Sequence, residues 1–539
     1  MGVTDTALDQ PQRSAPAVRI WGPELRVLTV GLVSTITLLA FESLAVVTVA
    51  PLVSADLHGL NLYGWLTGAF FLTTVVGLVL AGAAMDRAGP IRPFVVGLLV
   101  FGAGLVVAAT AVDMEIVIVG RGLQGLGDGA IAAVCFGTVG RTYPAQVRPK
   151  VFAVLATAWV VPSLGGPAAA AFLAEQVGWR WVFGGLIPLV VVAGAVTVGA
   201  LRVAGATSPP MREGIITAPG EDGVAGTAVF AGPANGGPGD VPGGPATDRA
   251  GVWPAVEAGR GPLVRAVRVA AGAGLLLAGV TSRSLFGIPL VVAGLLAGIG
   301  PLRRLLPAGT LRARPGAPAA VAVRGLLAFA FFGADTFVPL AITSVRHASA
   351  TVAGLAVSTA AVVWTVGSWT QARLATRRSG RFLVTVGLGT LVLSVAGTGT
   401  ALLSTQVPLA VGIACWGLAG FGIGVAYSPI MNVALNEAPP DRQGMASSAV
   451  SLSDNLGVTF GAGLGGVAVA AGAATSHPAA DAAGGAVNAA GHVASVAGLA
   501  GAFALATAVG LVGLLAARRL PTTALAEAPA ASLPDGTAG

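Results

Sequence analysis

Charged residues are scarce in this sequence. They make up 10% of its 539 residues, and the basic residues include a single lysine, Lys150. A soluble domain typically carries about a quarter of its residues as Asp, Glu, Lys or Arg. Here 55% of the residues are hydrophobic and the mean hydropathy is +0.83. This composition excludes an ordinary soluble protein and predicts an all-α integral membrane protein.

Cysteine and histidine are also rare, with two and four residues. Cys135 and Cys415 both lie inside apolar runs, so we expect neither a disulfide framework nor a zinc site. The sequence also lacks a phosphate-binding glycine loop, a catalytic triad and a cluster of metal ligands. These absences argue against an enzyme, an ATP-driven pump and any cofactor.

The net charge of +7 does not indicate nucleic-acid binding. The 30 basic and 23 acidic residues lie between apolar runs and do not form one basic patch. We therefore expect the chain to interact with the lipid bilayer and to have no nucleic-acid partner.

Apolar runs long enough for a membrane-spanning helix, about 20 residues, divide the chain. Six precede a Gly, Pro, Ala and Asp-rich stretch from 204 to 263, which we interpret as a disordered cytoplasmic linker. Two shorter runs and then six long ones follow. The predicted spans are 26–53, 62–84, 91–111, 115–139, 151–174, 181–201, 267–282, 285–302, 320–344, 351–372, 382–402, 407–430, 443–472 and 494–517.

These spans define the predicted domains. They are a tail 1–25, a six-helix bundle 26–203, the linker 204–263, an extra helix pair 264–302, a cytoplasmic loop 303–318, a second six-helix bundle 319–517 and a tail 518–539. The two spans of the extra pair are near the lower length limit, so either two crossings or a re-entrant or interfacial placement fits them.

The arginine distribution predicts the orientation, because basic loops stay in the cytoplasm. The loops after the second and fourth spans carry Arg87, Arg92, Arg141, Arg148 and Lys150. The loops after the first and third spans contain no Lys or Arg. We expect both termini in the cytoplasm of a multi-pass protein of the inner, or plasma, membrane. The exceptions to the charge pattern are Arg180, Arg283 and Arg346.

The sequence contains an internal repeat. A shift of 295 positions places the glycines at 122, 125, 127 and 129 on those at 417, 420, 422 and 424. A shift of 290 positions places Gly64 and Gly77 on Gly354 and Gly367. Both copies have the same predicted orientation, so we expect two parallel six-helix repeats related by an axis along the membrane normal.

Short motifs recur along the first bundle. Between the second and third spans, Gly82, Asp86, Arg87 and Gly89 form the pattern G-x-x-x-D-R-x-G. The fourth span contains R-x-x-Q-G, which begins at Arg121.

Further motifs lie in the first, fifth and sixth spans. In the first span, Glu42 precedes Pro51 by nine residues. Residues 162–171 read PSLGGPAAAA, and residues 179–183 read WRWVF, with Pro188 shortly after them.

Together these motifs resemble those of the major facilitator superfamily, and more narrowly its fourteen-helix drug:proton antiporter branch. The resemblance covers most of the first bundle and reaches the second through the repeat. It implies a small-molecule substrate exchanged against a proton gradient. It also implies that the loop residues Gly82, Asp86, Arg87 and Gly89 act as a conformational latch.

Four acidic side chains lie in the interior of predicted spans, away from the span ends, namely Glu42, Asp128, Asp335 and Asp454. An ionisable group in hydrocarbon is costly, so each is a candidate functional group. Removal from water favours the neutral acid and a nearby cation favours the carboxylate, so such a group can load and unload a proton. We expect Glu42 to be the main coupling acid. The alternative is a carboxyl that is hydrogen-bonded permanently to a neighbour.

Arg121, Gln124 and Asp128 share one stripe of the fourth span. We interpret this stripe as a proton-coupling element in which Arg121 tunes Glu42. Alternatively, Arg121 only braces the fourth span against the first. About 10 Å of helix separates Arg121 from Asp128, so Gln124 or water would have to bridge them. The repeat aligns Trp416 with Arg121, which concentrates the predicted coupling chemistry in the first bundle.

Polar and aromatic residues are the candidates for a cargo cavity. They are Asp335, Asp454, Asn455, Trp159 and Trp364. For the polar residues the alternative is a satisfied interhelical hydrogen bond, and for the tryptophans it is packing or anchoring at the membrane interface.

Few Asn, Gln or charged residues occur at membrane depth in the second bundle. An importer of a sugar or peptide would need such directional partners. The leading interpretation is therefore a proton-coupled exporter of hydrophobic or amphipathic small molecules, such as a drug or a lipid. We expect this exporter to be a monomer. The alternatives are a proton-coupled importer of a polar nutrient and a non-transporting membrane sensor.

The predicted topology can be tested at the linker. In a chain without its two native cysteines, a cysteine placed at Gly236 should resist a membrane-impermeant maleimide on intact cells and react after lysis, because the linker faces the cytoplasm. A cysteine at His58, in the loop after the first span, should react without lysis. Ready labelling at Gly236 on intact cells would overturn the topology.

Overall fold

The computed structural model describes residues 22–143, 147, 151, 154–155, 157–207, 252–253, 261–282, 285–375, 377–439, 442–475 and 495–522. Fourteen long helices account for most of this part of the chain. They are α1 (Pro23–Asp56), α2 (Tyr63–Ala88), α3 (Ile91–Ala109), α4 (Met114–Thr142), α5 (Val160–Val177), α6 (Leu186–Thr207), α7 (Gly261–Thr281), α8 (Gly287–Leu305), α9 (Ala317–Ser344), α10 (Ala350–Leu374), α11 (Gly380–Leu403), α12 (Leu409–Asn436), α13 (Gln443–Thr475) and α14 (Val496–Ala517).

Twelve of the helices in the described ranges are long and apolar enough to cross a membrane. The other two helices do not meet this criterion. Helix α4 contains many glycines and several charged residues, and α5 contains two prolines, two glycines and polar residues. The elements therefore follow the predicted order of six, two and six helices, and the predicted all-α class is confirmed. A short turn, Arg180–Gly184, precedes α6.

The internal repeat is visible in how the glycines of α4 and α12 pack. Gly125 of α4 faces the backbone of Phe70 in α2, and its counterpart Gly420 of α12 faces the backbone of Ala360 in α10. Phe70 and Ala360 are themselves related by the 290-position shift. Gly129 and Gly424 repeat the relation one turn further along the same pairs of helices.

Glycine at these positions allows two helix backbones to touch. A Cβ atom added at Gly125 or Gly420 would overlap a carbonyl oxygen of the neighbouring helix. The close approach holds α2 against α4 and α10 against α12 within their bundles. The predicted parallel six-helix repeats are confirmed.

The bundle α1–α6 and the bundle α9–α14 meet along α2 with α13 and α5 with α10. We call the end of the protein at which α1 leads into α2 the Leu57 end, and the end at which α2 leads into α3 the Arg87 end. Near the Leu57 end, Gly64 packs on the backbone of Ala462 and Gly466. There, Glu175 also accepts hydrogen bonds from the backbone N–H, at 3.1 Å, and the side-chain hydroxyl, at 2.7 Å, of Thr351.

Packing is looser on the other side of the same helices. A Cβ atom added at Gly82 or Gly89, at the Arg87 end of α2, would meet no atom of the described residues within 4 Å. The protein is therefore closed between its two bundles at the Leu57 end.

The extra helices α7 and α8 form a hairpin that lies beside the two bundles. Helix α7 packs against α2 and α13, and Trp65 donates a hydrogen bond from Nε1 to Thr281 Oγ1 at 3.3 Å. Helix α8 packs on α7 and leaves most of its apolar surface exposed. Both helices reach the length and hydropathy of a membrane crossing.

One part of the predicted linker differs from the expectation of a flexible segment. Trp253 is 4% exposed, and its carbonyl oxygen accepts a hydrogen bond of 3.1 Å from Arg442 Nη1. The carbonyl oxygen of Val252 accepts a hydrogen bond of 2.8 Å from the backbone N–H of Ala308. A large aromatic side chain in an otherwise polar stretch supplies the apolar area that lets this short piece pack. The rest of 208–260 lies outside the described residues.

The glycine packing makes a stability prediction. Gly125→Ala should lower the melting temperature of the purified protein markedly, because the added methyl group overlaps the backbone of α2 and the cost of overpacking is typically about 1–3 kcal/mol. Gly122→Ala, on the same helix, is the matched control, since its nearest neighbouring atom lies 3.8 Å from the added Cβ. Thermal unfolding in detergent measures both, and equal melting temperatures would contradict the proposed packing role.

Candidate functional site

A buried ion pair lies at the centre of the first bundle. Glu42 of α1 is fully buried and Arg121 of α4 is 3% exposed, and Arg121 Nη1 donates to Glu42 Oε1. The same nitrogen contacts the side-chain oxygen of Gln124, one turn along α4. Arg121 Nε donates to the carbonyl oxygen of Leu66 in α2 at 3.0 Å. The arginine thereby joins α1, α2 and α4 at one point.

The guanidinium of Arg121 also lies over the ring of Phe70, 4.2 Å from its centroid. A cation over an aromatic face is attracted electrostatically, and more strongly where water is excluded. The guanidinium group is thus held by a carboxylate, an amide oxygen, a carbonyl oxygen and an aromatic face.

Two polar atoms of this cluster are buried without a hydrogen-bond partner in the described part of the chain. They are Glu42 Oε2 and Gln124 Nε2. A buried donor or acceptor left unpaired costs about 1–3 kcal/mol, and a charged one costs more. The cluster therefore has free capacity for a proton or a water molecule at Glu42 and for an acceptor at Gln124.

Asp128 lies one turn beyond Gln124 on α4, toward the Arg87 end, and faces Thr74 of α2. It is partly exposed. Arg121, Gln124 and Asp128 therefore lie along α4 as the predicted stripe requires. The contact between Arg121 and Glu42 fits both the predicted coupling role and the alternative of a brace between α1 and α4.

The second bundle contains an ion pair of its own, which the sequence analysis missed. Arg324 of α9 is 2% exposed, and its Nε donates to Asp454 Oδ1 of α13 at 2.6 Å. Tyr427 of α12 donates its hydroxyl to Asp454 Oδ2 at 3.1 Å and accepts at its carbonyl oxygen a hydrogen bond of 2.9 Å from Arg324 Nη1. Arg324 is the only basic residue of the predicted span 320–344, so a search for bases as well as acids in the spans would have found it.

The other predicted cavity residues lie in different surroundings. Trp364 packs edge-on against Tyr427, with ring centroids 5.3 Å apart, and so lies beside the Arg324–Asp454 pair. Asn455 donates to the carbonyl oxygen of Ser451 in its own helix at 2.9 Å. Trp159 is half-buried just before the start of α5.

Asp335 lies eleven residues beyond Arg324 on α9. It lies on α9, 8% exposed, next to Thr336, whose hydroxyl is 3.5 Å from that of Thr67 in α2. The contact between the two threonines joins the two bundles.

The loop motif lies at the Arg87 end. Arg87 is exposed in the last turn of α2, and Gly89 caps the helix with a φ of +72°, a conformation that glycine adopts readily. The side chain of Asp86 lies outside the described residues. The latch role of Gly82, Asp86, Arg87 and Gly89 therefore stays a prediction.

The comparisons with known proteins indicate the same class of protein as the arrangement of the helices does. The sequence profile of the Major Facilitator Superfamily matches residues 31–462, and the chain belongs to this superfamily. A protein of Mycobacterium tuberculosis named as a probable multidrug-efflux transporter is 27% identical over 453 residues, which cover 80% of this chain and 85% of that protein. A multidrug transporter protein of Bacillus subtilis is 30% identical over 166 residues, covering 31% of each chain.

Solved structures share the fold at low sequence identity. An auto-inhibited peptide transporter of the POT family superposes with a TM-score of 0.58 at 18% identity, covering 93% of this chain and 99% of that one. A bacterial homologue of the lysosomal transporter Spinster, in an inward-facing and unoccupied conformation, also gives 0.58 at 14% identity, with 92% and 98% covered. The protein is thus a transporter of the Major Facilitator Superfamily.

The central ion pair can be tested by a double replacement. Arg121→Gln should lower the free energy of unfolding by about 3–5 kcal/mol, because it leaves the buried carboxylate of Glu42 without its cation. Adding Glu42→Gln should recover most of the loss, since no buried charge then stays unpaired. Unfolding in detergent measures both variants.

The matched control for this cycle is Arg180→Gln. Arg180 pairs with Asp56 at 2.9 Å, but both side chains are more than 40% exposed, so the change should cost about 1 kcal/mol or less. Equal losses in the single and double variants at the buried site would contradict the pairing.

Proposed function

We propose that this protein is a proton-coupled exporter of hydrophobic or amphipathic small molecules that works by alternating access. The observation that carries the proposal is the buried Glu42–Arg121 pair, in which Glu42 Oε2 lacks a hydrogen-bond partner among the described residues. The names of the relatives from Mycobacterium and Bacillus support export and a multidrug cargo.

The charge distribution supports the orientation of this cycle. The Arg87 end holds the arginines at the helix ends and in the connecting loops, whereas the Leu57 end has few. Because basic loops stay in the cytoplasm, we assign the Arg87 end, both termini and the linker to the cytoplasmic side of the plasma membrane. The conformation closed at the Leu57 end is then the inward-facing one.

Glu42 is the group that exchanges its proton in this scheme. In the inward-facing protein it is held as a carboxylate by Arg121. When the outer side opens, a proton from that side binds at the unpartnered Oε2 and neutralises the carboxylate, so that the pull on Arg121 weakens. When the inner side opens again, the proton leaves toward the cytoplasm, with Gln124 and Asp128 as the next polar groups along α4.

The cargo site of the proposal is aromatic with few polar partners. Phe71, Phe332 and Trp364 form a connected group between the two bundles, with ring centroids 6.1–6.3 Å apart. Such a wall binds apolar and amphipathic molecules with little directional discrimination. The carboxylate of Asp454 is 16% exposed and accepts a hydrogen bond from the hydroxyl of Tyr427, whose ring packs against Trp364.

We also propose that the loop motif acts as a latch. Arg87 extends from the end of α2 at the Arg87 end, where the bundles are loosely packed in the inward-facing state. A latch there would engage when the cytoplasmic side closes, through Asp86 and Arg87 at helix termini. Asp86→Asn should then slow transport and leave cargo affinity within a few-fold.

The coupling acid can be tested by flux in proteoliposomes, with ethidium as the transported cation and an imposed pH gradient. Glu42→Gln resembles the protonated acid in shape and cannot release a proton, so it should abolish uphill accumulation and retain ethidium binding. Asp56→Asn is the matched control on the same helix, because Asp56 lies in the exposed pair with Arg180 and should leave uphill flux unchanged.

Uphill flux with unchanged pH dependence in Glu42→Gln would move the coupling role elsewhere, first to Asp128. Gradient-driven uptake of polar nutrients in place of ethidium would favour the importer, and absence of any flux with intact ligand binding would favour the sensor.

A further inference from the structure

The connection between α8 and α9 carries four arginine side chains at the Arg87 end. Arg303 and Arg304 lie in the last turn of α8, and Arg312 and Arg314 follow in the loop 306–316. All four are exposed, and none of their guanidinium groups forms an ion pair or a hydrogen bond with a residue that the structure describes. Like charges that are held close together repel one another, so this group of side chains attracts an anion.

Three of these arginines line one cavity. Arg303, Arg312 and Arg314 surround a space of about 400 Å³ together with residues 306–311, and we call this space the arginine cavity. None of the lining residues in the described part of the chain is acidic. The carboxylate of Glu437, at the end of α12, lies instead beside the backbone of Gly316. The volume falls within the range of small-molecule sites, which is roughly 300–1,000 Å³.

The loop that forms the cavity is ordered by its own hydrogen bonds. The backbone N–H groups of Arg312 and Arg314 both donate to the carbonyl oxygen of Gly309, at 3.0 and 3.2 Å. Gly309 has a φ of +93°, a conformation that glycine adopts readily. Thr310 is buried, and its hydroxyl donates to the carbonyl oxygen of Pro307 at 2.7 Å. The arginines therefore project from a preformed backbone, which lowers the entropy lost when a ligand binds.

Neighbouring segments hold the same loop from outside. The backbone N–H of Ala308 donates to the carbonyl oxygen of Val252 at 2.8 Å. Arg519, just after α14, donates from Nη1 to the carbonyl oxygen of Arg312 at 2.6 Å, and its own carbonyl oxygen accepts a hydrogen bond of 3.3 Å from the backbone N–H of Gly316. A further guanidinium group is thereby held next to the loop and adds to its positive charge.

Helix α8 indicates a ligand with an apolar tail. Its 19 residues span about 28 Å, which is close to the hydrocarbon thickness of a bilayer, about 30 Å. The exposed side chains of Val292, Leu296 and Ile299 lie on one face of the helix, at spacings of four and three residues. Arg303 follows four residues later on the same face. An acyl chain that lies along this face therefore brings its headgroup to the arginine cavity, at the depth of the phospholipid headgroups.

We propose that the arginine cavity binds the phosphate group of an anionic phospholipid from the leaflet at the Arg87 end, with one acyl chain along α8. Guanidinium groups bind phosphate oxygens by paired, charge-assisted hydrogen bonds, and Arg303, Arg312 and Arg314 supply them from two sides. A free phosphate ion carries the same charge but makes no use of the apolar face of α8, so the lipid is the occupant.

The bound lipid has a structural consequence. It joins the end of α8 to the loop before α9 and neutralises the repulsion among the arginines, so it fastens the hairpin α7–α8 to the second bundle. This role goes beyond the proposed function, because it requires neither Glu42 nor a transported cargo.

Native mass spectrometry of the purified protein tests the site, with phosphatidylglycerol and phosphatidylcholine of identical acyl chains as the two probes. The protein should bind one phosphatidylglycerol molecule in preference to phosphatidylcholine. A glutamine variant should bind it roughly 10- to 100-fold more weakly, because three charges that attract the headgroup are lost. A lysine variant retains the charges and should keep most of the affinity. Both variants change the same three residues, Arg303, Arg312 and Arg314.

The matched control removes three charges from another loop at the same end, between α10 and α11. This control variant combines Arg377→Gln, Arg378→Gln and Arg381→Gln, none of which lines the cavity. Its affinity for phosphatidylglycerol should stay within about twofold of the wild type, because a specific site depends on position and not on total charge. Equal weakening in the control and glutamine variants, or no preference for phosphatidylglycerol in the wild type, overturns the proposal.

Melting temperatures in nanodiscs identify the source of the phosphate. Phosphatidylglycerol in place of phosphatidylcholine should raise the melting temperature of the wild type and of the control variant, and raise that of the glutamine variant less. Inorganic phosphate added to the wild type in phosphatidylcholine nanodiscs should not reproduce the rise. A rise of equal size with inorganic phosphate overturns the lipid in favour of a free anion. If the glutamine variant does not fold, Arg312→Gln with Arg314→Gln takes its place, and the same outcomes decide.

Discussion

A charge inside a membrane-spanning bundle needs a partner within the bundle, and this requirement organises the polar interior of the protein. Arg121 meets it with Glu42, Gln124 and the carbonyl oxygen of Leu66. The helices α1, α2 and α4 are held in register by these contacts. Any change in the charge of Glu42 therefore acts directly on the contacts among three helices.

Close glycine packing limits how far the helices of one bundle can rearrange among themselves when the charge of Glu42 changes. Gly125 and Gly420 bring helix backbones together at equivalent places in the two bundles, so each bundle resists internal rearrangement. Motion is left to the surface between the bundles, where Gly64 and the pair Thr67–Thr336 mark the closed end. Alternating access needs two packed bundles that can separate along a loose surface between them. The ion pair within the first bundle supplies a charge that can change during this motion.

The two bundles share their backbone plan but not their polar chemistry. The repeat aligns Arg121 with Trp416, which stacks on Phe331 at 5.0 Å. The second bundle instead places its arginine, Arg324, on the first helix of the repeat, where it pairs with Asp454. Glycine spacing is retained because backbone contact tolerates no side chain, whereas a buried pair can be formed wherever two helices face each other.

This difference also explains what the sequence could and could not predict. Hydropathy predicts the helix order, glycine spacing predicts the repeat, and the short motifs predict that Glu42 lies near Arg121. All three are local features of the sequence. The partner of Asp454 depends on which helices become neighbours, and no local pattern records that. The burial of Trp253 likewise depends on a docking site formed by distant segments.

The central claim is that Glu42 exchanges a proton against cargo. Proton release on addition of ethidium to the purified protein, in weakly buffered detergent solution, measures this exchange without a membrane gradient. The account predicts that the protons released per ethidium bound equal the fraction of Glu42 that is protonated in the free protein, up to one, and that none are released from a Glu42→Gln variant that still binds ethidium. Equal proton release from the two proteins would contradict it.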